Sequence, residues 1–421
     1  MLKVLIGAYQ ASPAEGSERS TGWHLPTALA ARGVEVHVIT DEVWRAEIEA
    51  EGPRDGLTFH YVDGAPPQGF RSGRRRVYAG YLAWQRRCHE AALGLDAEHD
   101  IDVVHHLTWG SLFWGSSLAR LDKPFVFGPL GGGQTSPEVL RQWFGASWRI
   151  EAGRNGALKH LLRFNPRARR TIRTADLVLV TNTETAERCR ALGASRVELC
   201  LDNAIGPEVI VQEERPAPPR TAPTVLWVGR NIPRKGVGLA LSAFATVRRS
   251  VPSARLVMLG GGLDDADTTA QIEALDLVGS VHRLGQVPLP TVIEHYDTSS
   301  VLLFSSLRES FGVQVLEAMA RGLPVVALDV HGVSDFMPAA AGVKVPLQRG
   351  QGLADALGAG VVALLADPER WHHASNAGRA AAAEHTWDTL ADELVDRFGR
   401  LASARGDRGS GSRGTVGQRR G

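Results

Sequence analysis

The stretch Ser306–Val330, SLRESFGVQVLEAMARGLPVVALDV, decides how this chain folds. Its pattern predicts a strand end, a tight loop, a helix, a stop and a second strand. Val301–Ser305, just before it, is a short buried strand. From Gly312 on, Val313, Leu316, Met319 and Ala320 recur at helical spacing. Gly322 stands where a left-handed helix cap would stand, and Pro324 bars continuation. Val325–Leu328 is again a buried parallel strand. Such a unit points the first free amides of its helix, near Gly312 and Val313, into a crevice at the carboxyl edge of the sheet, where they suit a phosphate. Two carboxylates frame the unit, Glu309 in the loop and Glu317 on the helix. Either can accept hydrogen bonds from ligand hydroxyls.

Glu309-x7-Glu317, with Ser310-Phe311-Gly312 and Ala318-Met319-Ala320 filling it in, resembles glycosyltransferase family 4, the retaining group 1 glycosyltransferases. The resemblance implies an α/β chain of GT-B architecture: two Rossmann-like domains whose parallel sheets face each other across a cleft. It implies transfer of a sugar from a nucleotide-diphosphate-sugar donor to a hydroxyl acceptor, with no cofactor and no metal. Glu309 would contact the transferred sugar, and Glu317 the ribose. Phe311, Gly312 and Val313 would border the donor.

Working back toward the amino end, Thr224–Val228 reads as a strand, followed by Gly229, Arg230 and, five residues later, Lys235. Arg230 and Lys235 stand where the family holds the diphosphate; arginine offers a fork and lysine a point charge. Arg234 reads as the bystander. Leu284–Val287 resembles the segment that contacts the base, through Val287, and is equally readable as a plain strand end. Asp264–Asp267 holds a D-x-D spacing at Asp265 and Asp267, but in a loop after glycines, and reads as a solvated acidic turn.

The first half opens with strand Leu2–Ala8, a long loop and a helix. Pro26 suits only a first turn, which puts the helix start near Gly22. No G-x-G-x-x-G follows the first strand, which disfavours a dinucleotide oxidoreductase. The loop instead resembles a family 4 signature, carried by Gly16, Ser17, Glu18, Gly22 and Trp23. The resemblance lays that loop over sugar and acceptor; an unliganded turn is the alternative. Gly131, Gly132 and Gly133 would let backbone approach a ligand closely. Many members carry a sugar-contacting histidine after the strand that is Phe125–Phe127 here, where this chain has Gly128-Pro129. His105 or His106, at an adjacent strand end, could take its place. Strand alternation lets only one enter the cleft, and His106 lies nearer the carboxyl end. Glu309 and His106 are therefore the catalytic expectation, with His105 beside them. Trp109, Trp114, Trp143 and Trp148 could line an acceptor pocket or simply pack.

The expected organisation is an acceptor-side domain at residues 1–215, a proline-rich linker at 216–223 and a nucleotide-sugar domain at 224–384. A helix at 385–403 crosses back to the first domain, and 404–421 is a disordered tail. Gln68–Arg76 reads as a mobile loop.

The 421 residues carry 47 basic and 46 acidic side chains, a net charge of +1 that disfavours a nucleic-acid binder. Three cysteines, Cys88, Cys189 and Cys200, suggest neither metal site nor disulfide framework and fit a reducing cytoplasm. No signal peptide is expected, nor any run of the roughly 18 apolar residues a membrane span needs. The basic stretch Arg154–Arg173 could rest on an anionic membrane surface or be a solvated face. A sugar-nucleotide-binding protein without transferase activity is the competing class.

Overall fold

The computed structural model describes residues 1–13, 18–66, 73–211, 213–218, 221–348 and 352–411. Seven parallel strands build the first sheet: β1 (Lys3–Ala8), β2 (Glu35–Asp41), β3 (Leu57–Val62), β4 (Val103–Thr108), β5 (Phe125–Leu130), β6 (Leu177–Val180) and β7 (Val197–Leu199). Their order is β3-β2-β1-β4-β5-β6-β7. The second sheet has β8 (Thr224–Val228), β9 (Arg255–Leu259), β10 (Val281–Gly285), β11 (Val301–Phe304), β12 (Val325–Leu328) and β13 (Gly342–Val345), in order β10-β9-β8-β11-β12-β13. In each sheet the order reverses once, between β1 and β4 and between β8 and β11. Ligands of open α/β sheets bind at such switch points, outside the carboxyl ends of the strands.

The central strands are apolar throughout because both faces are covered. β6 and β11, LVLV and VLLF, are buried at every position. The helix Trp387–Gly411 lies on the first domain: Trp387, Leu390, Leu394 and Phe398 pack with Val4, Ile6 and Leu25. Arg32 bridges it through Asp388 (2.9 Å) and Asp392 (2.5 Å). This helix continues past Ala404 to Gly411, beyond the expected start of the tail; residues 412–421 lie outside the described ones.

Several local expectations need correction. The first helix spans Glu18–Ala30, with Pro26 inside it. The buried face Thr21, Trp23, Leu25, Ala28 and Leu29 holds it together across the missing proline N–H. Most of the expected mobile loop falls outside the described residues, and its end, from Gly73, is already the long helix Gly73–His99. β5 continues through Gly128-Pro129 to Leu130. The basic stretch is divided into the helix Trp148–Gly156, a wide π-helical turn Ala157–Leu161, a 3-10 turn Leu162–Phe164 and the helix Pro166–Thr174. Asp264, Asp265 and Asp267 are exposed, as a solvated acidic turn should be, and Asp265 has a further task. It caps the helix Ala266–Ala274, accepting from the Thr268 N–H at 2.7 Å.

The domains also touch directly. Leu140, Phe144 and Trp148, from the first half, pack into the core of the second domain. Thr183 Oγ1 donates to Asp335 (2.6 Å), Arg308 meets Glu151 (2.8 Å), and His331 Nε2 lies 3.0 Å from the Thr135 carbonyl.

Candidate active site

β8 ends in a loop that reaches the turn Pro233–Lys235. Trp227 Nε1 donates to Ser305 Oγ (3.0 Å), and that hydroxyl bonds to the Lys235 and Gly236 carbonyls (3.0 and 2.9 Å). Leu307 N–H donates to the Arg234 carbonyl (2.7 Å). The turn is thereby fixed against the loop after β11. Gly236 sits at φ +66°, with the Ser305 carbonyl 2.4 Å from where a Cβ would stand, so only glycine fits.

This brace brings Arg234 and Lys235 onto one atom, Glu309 Oε2, each at 2.5 Å. Burial pushes the Glu309 carboxyl up, but Lys235 and then Arg234 outweigh it and hold it below the usual glutamate range. Arg234 is therefore no bystander. Lys235 is itself buried, and its ammonium stands over the Phe304 ring at 5.5 Å from the centroid. Gly312, at φ +102°, caps the helix Val313–Ala320. A Cβ there would meet Phe304 at 2.6 Å.

One pocket collects Arg230, Arg234, Lys235, Glu309, Gly312 and Val313, with Gly229, Gly260, Gln286 and Val287 around them. Arg230 is exposed at its rim and makes no ion pair among the described residues. Glu317 is turned to Tyr296, whose hydroxyl donates to it at 2.7 Å, and is not among the pocket's walls. Burial raises the Glu317 carboxyl. Phe311 is not among the pocket's walls: its ring is buried against Phe336, centroids 5.9 Å apart.

A second pocket adjoins it on the side of the first domain, and Asp202 and Ser310 line both. Its other walls include Glu18, Thr21, Tyr78, Trp109, Trp114 and Gly131. Trp109 holds φ +58°, rare for an aromatic residue, and donates its N–H to Glu18. Glu18 is pushed up to about 7, by burial first, with the Trp109 N–H opposing and Asp202 adding to it. Asp202 is raised to about 6, by burial and then by Glu309. Thr21 Oγ1 donates to the Asp202 carbonyl (2.7 Å), which ties the helix to the crossing segment. No sequence pattern singles out Asp202.

The histidine expectation fails. β4 runs on through Leu107 and Thr108, so His105 and His106 are mid-strand and face the two sides of the sheet instead of its edge. His106 lies 3.2 Å from Tyr81 Oη and 2.9 Å from Ser116 Oγ; His105 Nε2 lies 2.6 Å from the Gly128 carbonyl. Burial lowers them to about 3 and about 4 respectively, so both are neutral and packed. His331, at φ +53°, has a task of its own in bridging the domains.

The glycines also divide. Gly22 faces the Gln10 carbonyl, 2.0 Å from a would-be Cβ, and serves internal packing instead of a ligand. Gly131 lines the second pocket, where a Cβ would stand 2.3 Å from Ser310 Oγ. Gly132 has open space around it and is demanded only by its φ of +82°. Gly16 and Ser17 lie outside the described residues. Of the four tryptophans, Trp109 and Trp114 line the second pocket, while Trp143 and Trp148 pack on the second domain.

Among the described residues one group could hold a metal: Glu35, His37 and His99, with ligand atoms within 4.8 Å of one another. It stands at the start of β2, the end of the sheet away from the cleft.

Residues 211–381 match the family model of glycosyl transferases group 1, and residues 16–201 match that of the glycosyl transferase 4-like domain. A D-inositol 3-phosphate glycosyltransferase of Segniliparus rotundus is 27% identical over 419 residues, covering 91% of this chain and 85% of that protein. A phosphatidyl-myo-inositol mannosyltransferase of Mycobacterium tuberculosis is 29% identical over 218 residues, 51% of this chain and 56% of the relative. Sucrose-phosphate synthase from Thermosynechococcus elongatus superposes with a TM-score of 0.67 at 18% identity, covering 96% of this chain and all of that one. Anabaena HepE, solved with UDP and glucose, gives 0.61 at 16% identity, covering 95% and 100%.

Proposed function

The chain belongs to glycosyltransferase family 4, the group 1 glycosyl transferases, and from that premise we propose a retaining, metal-independent transfer whose donor sits in the Lys235–Glu309 pocket and whose acceptor sits in the Trp109–Trp114 pocket. The observation that carries the assignment is the convergence of Arg234 and Lys235 on Glu309 Oε2 beside the capped helix start at Gly312. Departure of a nucleoside diphosphate puts negative charge on phosphate oxygens. Lys235 and the free amides near Val313 are fixed donors for that charge, already oriented before the bond breaks, and Arg230 stands exposed at the rim to meet it.

In this reading Glu309 holds the cations in place through Oε2 and offers Oε1 to the hydroxyls of the transferred sugar. Glu317, anchored by Tyr296 at Oε2, keeps its other oxygen for the ribose. Gln286 and Val287 flank the base. The acceptor hydroxyl enters between Glu18 and Asp202, over aromatic faces that suit a sugar or polyol ring. Among the described residues no histidine lines either pocket, and in this reading these two carboxyls orient that hydroxyl. No helix among the described residues is long and apolar enough to cross a membrane.

A panel of nucleotide sugars, scored for release of nucleoside diphosphate, tests the reading. Release from one donor, undiminished by EDTA, is the expected result. Activity lost in EDTA and restored by manganese would remove the metal-independent part. Donor binding without release, across all acceptors tried, would favour the binding protein.

A further inference from the structure

Several arginines of this molecule are paired closely with acids. Arg45 bridges to Glu42 (2.7 Å) and Glu49 (3.1 Å), Arg321 to Asp297 (2.5 Å), and Arg397 to Glu198 (2.7 Å) and Glu393 (2.8 Å). One concavity breaks that habit. It lies between the helices Gly73–His99 and Pro166–Thr174 and is walled by Arg86, Arg120, Arg167 and Arg170. Arg120, Arg167 and Arg170 make no ion pair among the described residues, and Arg86 has only Glu90, at 3.8 Å. His89 lines the same hollow, and its buried Nδ1 has no hydrogen-bond partner.

The floor is rigid. Gln85 is buried, accepts from the Ser117 N–H (2.7 Å) and donates to the Gly115 carbonyl (3.1 Å). Three segments thus bring four exposed arginines to the walls of one hollow with a fixed floor, although like charges repel. A bound anion offsets that repulsion, and the forked guanidinium matches the oxygens of a phosphate. Trp114 is a wall of this hollow and also of the pocket assigned to the acceptor, so the two are neighbours across one side chain.

We propose that this arginine-lined hollow binds a phosphate-type oxyanion carried by the acceptor, resting on the reading that the Trp109–Trp114 pocket receives that acceptor. The same chemistry is offered by a phosphate on a soluble sugar or polyol and by the phosphate of a lipid headgroup.

The test uses the full chain and titrates inorganic pyrophosphate calorimetrically. The double variant Arg167→Ser/Arg170→Ser alters exposed side chains of one helix, so folding is expected to survive; its circular dichroism is checked first. Wild type is expected to show two classes of site, one lost in Lys235→Ala and the other weakened about tenfold or more in the double variant. Pyrophosphate binding unchanged in the double variant overturns the proposal. So does an equal weakening by Arg141→Ser/Arg149→Ser, which would mark diffuse surface attraction. A Lys235→Ala variant that keeps both classes would overturn the donor assignment and leave the hollow standing. Cosedimentation with phosphatidylglycerol but not phosphatidylcholine vesicles, abolished in the double variant, identifies a lipid phosphate as the source. Pyrophosphate binding without vesicle binding identifies a soluble one.

Discussion

The two walls of the cleft are built from opposite materials. The wall of the second domain carries Arg230, Arg234 and Lys235 around the Glu309 carboxylate, with bare backbone at Gly229, Gly260 and Gly312. The facing wall carries Tyr78, Trp109 and Trp114 with two carboxyls, Glu18 and Asp202, and no basic side chain among the described residues. Cations and free amides meet a diphosphate; aromatic faces and acceptor-type oxygens meet a ring bearing hydroxyls. The carboxyls on the two walls are also tuned in opposite directions. Glu309 is held below its usual range by Lys235 and Arg234 against the pull of burial, while burial wins at Glu18 and lifts it to about 7. Whether a carboxyl has cationic partners decides the direction, since burial acts the same way on both.

Glu309→Gln should break this contrast most severely. It removes the anion that Arg234 and Lys235 share while keeping the shape, and turnover should fall about 10³-fold. Nucleoside diphosphate affinity should stay within a few-fold or tighten, because the cations are released to the ligand. Calorimetry beside single-turnover rates decides it; affinity collapsing with turnover would make Glu309 a strut alone.

Glu18→Gln addresses the other wall through stability. A carboxyl raised from 4.5 to about 7 on folding makes the folded chain the better proton binder between those values. Its contribution is fully present below pH 4.5 and is lost as the pH rises through 7. The loss amounts to about 3 kcal/mol at most. The variant should therefore gain on wild type between pH 5 and pH 8 in urea melts. Parallel stability curves would mean that Glu18 is not desolvated.

Lys235→Ala should weaken nucleoside diphosphate binding about 30-fold, roughly 2 kcal/mol, and leave nucleoside binding nearly unchanged. Equal losses for both ligands would remove Lys235 from the phosphate. The smallest catalytic effect belongs to His106→Ala. Its ring bonds to Tyr81 and Ser116 inside the first domain, so stability should drop by about 1–3 kcal/mol while kcat/KM of the folded enzyme stays within threefold. A large fall in kcat at unchanged melting temperature would return the histidine to catalysis.

The contrast between walls is also a contrast in legibility. Glu309, Gly312 and Val313 lie within five residues of one another, and Arg230 and Lys235 within six. Each group belongs to its own strand–loop–helix unit, after β8 or after β11, and within each unit spacing along the chain translates directly into spacing in the cleft. The acceptor wall draws Glu18, Tyr78, Trp109, Gly131 and Asp202 from five separate segments. No local spacing relates them, so Asp202 had no sequence signal of its own. The structure also corrected Arg234, whose neighbour Lys235 drew the attention that both deserve on geometry.

The sequence by itself determined the alternation of buried strands and helices, the two-domain plan and the charged motif of the second domain. These depend on periodicity, caps and spacing over fewer than thirty residues. Tertiary structure alone decided which strand residues reach the cleft. β4 extends two residues past His106, and the helix Gly73–His99 covers the face to which that ring points, so Tyr81 and Ser116 claim it. It also decided the ionisation of the carboxyls, because desolvation and charge partners come from segments far apart in the chain. Burial silences Glu18 against the opposing pull of the Trp109 N–H, 91 residues away, and Glu309 is kept charged by a turn 74 residues before it. Distances of that kind are fixed only when the sheets close on one another.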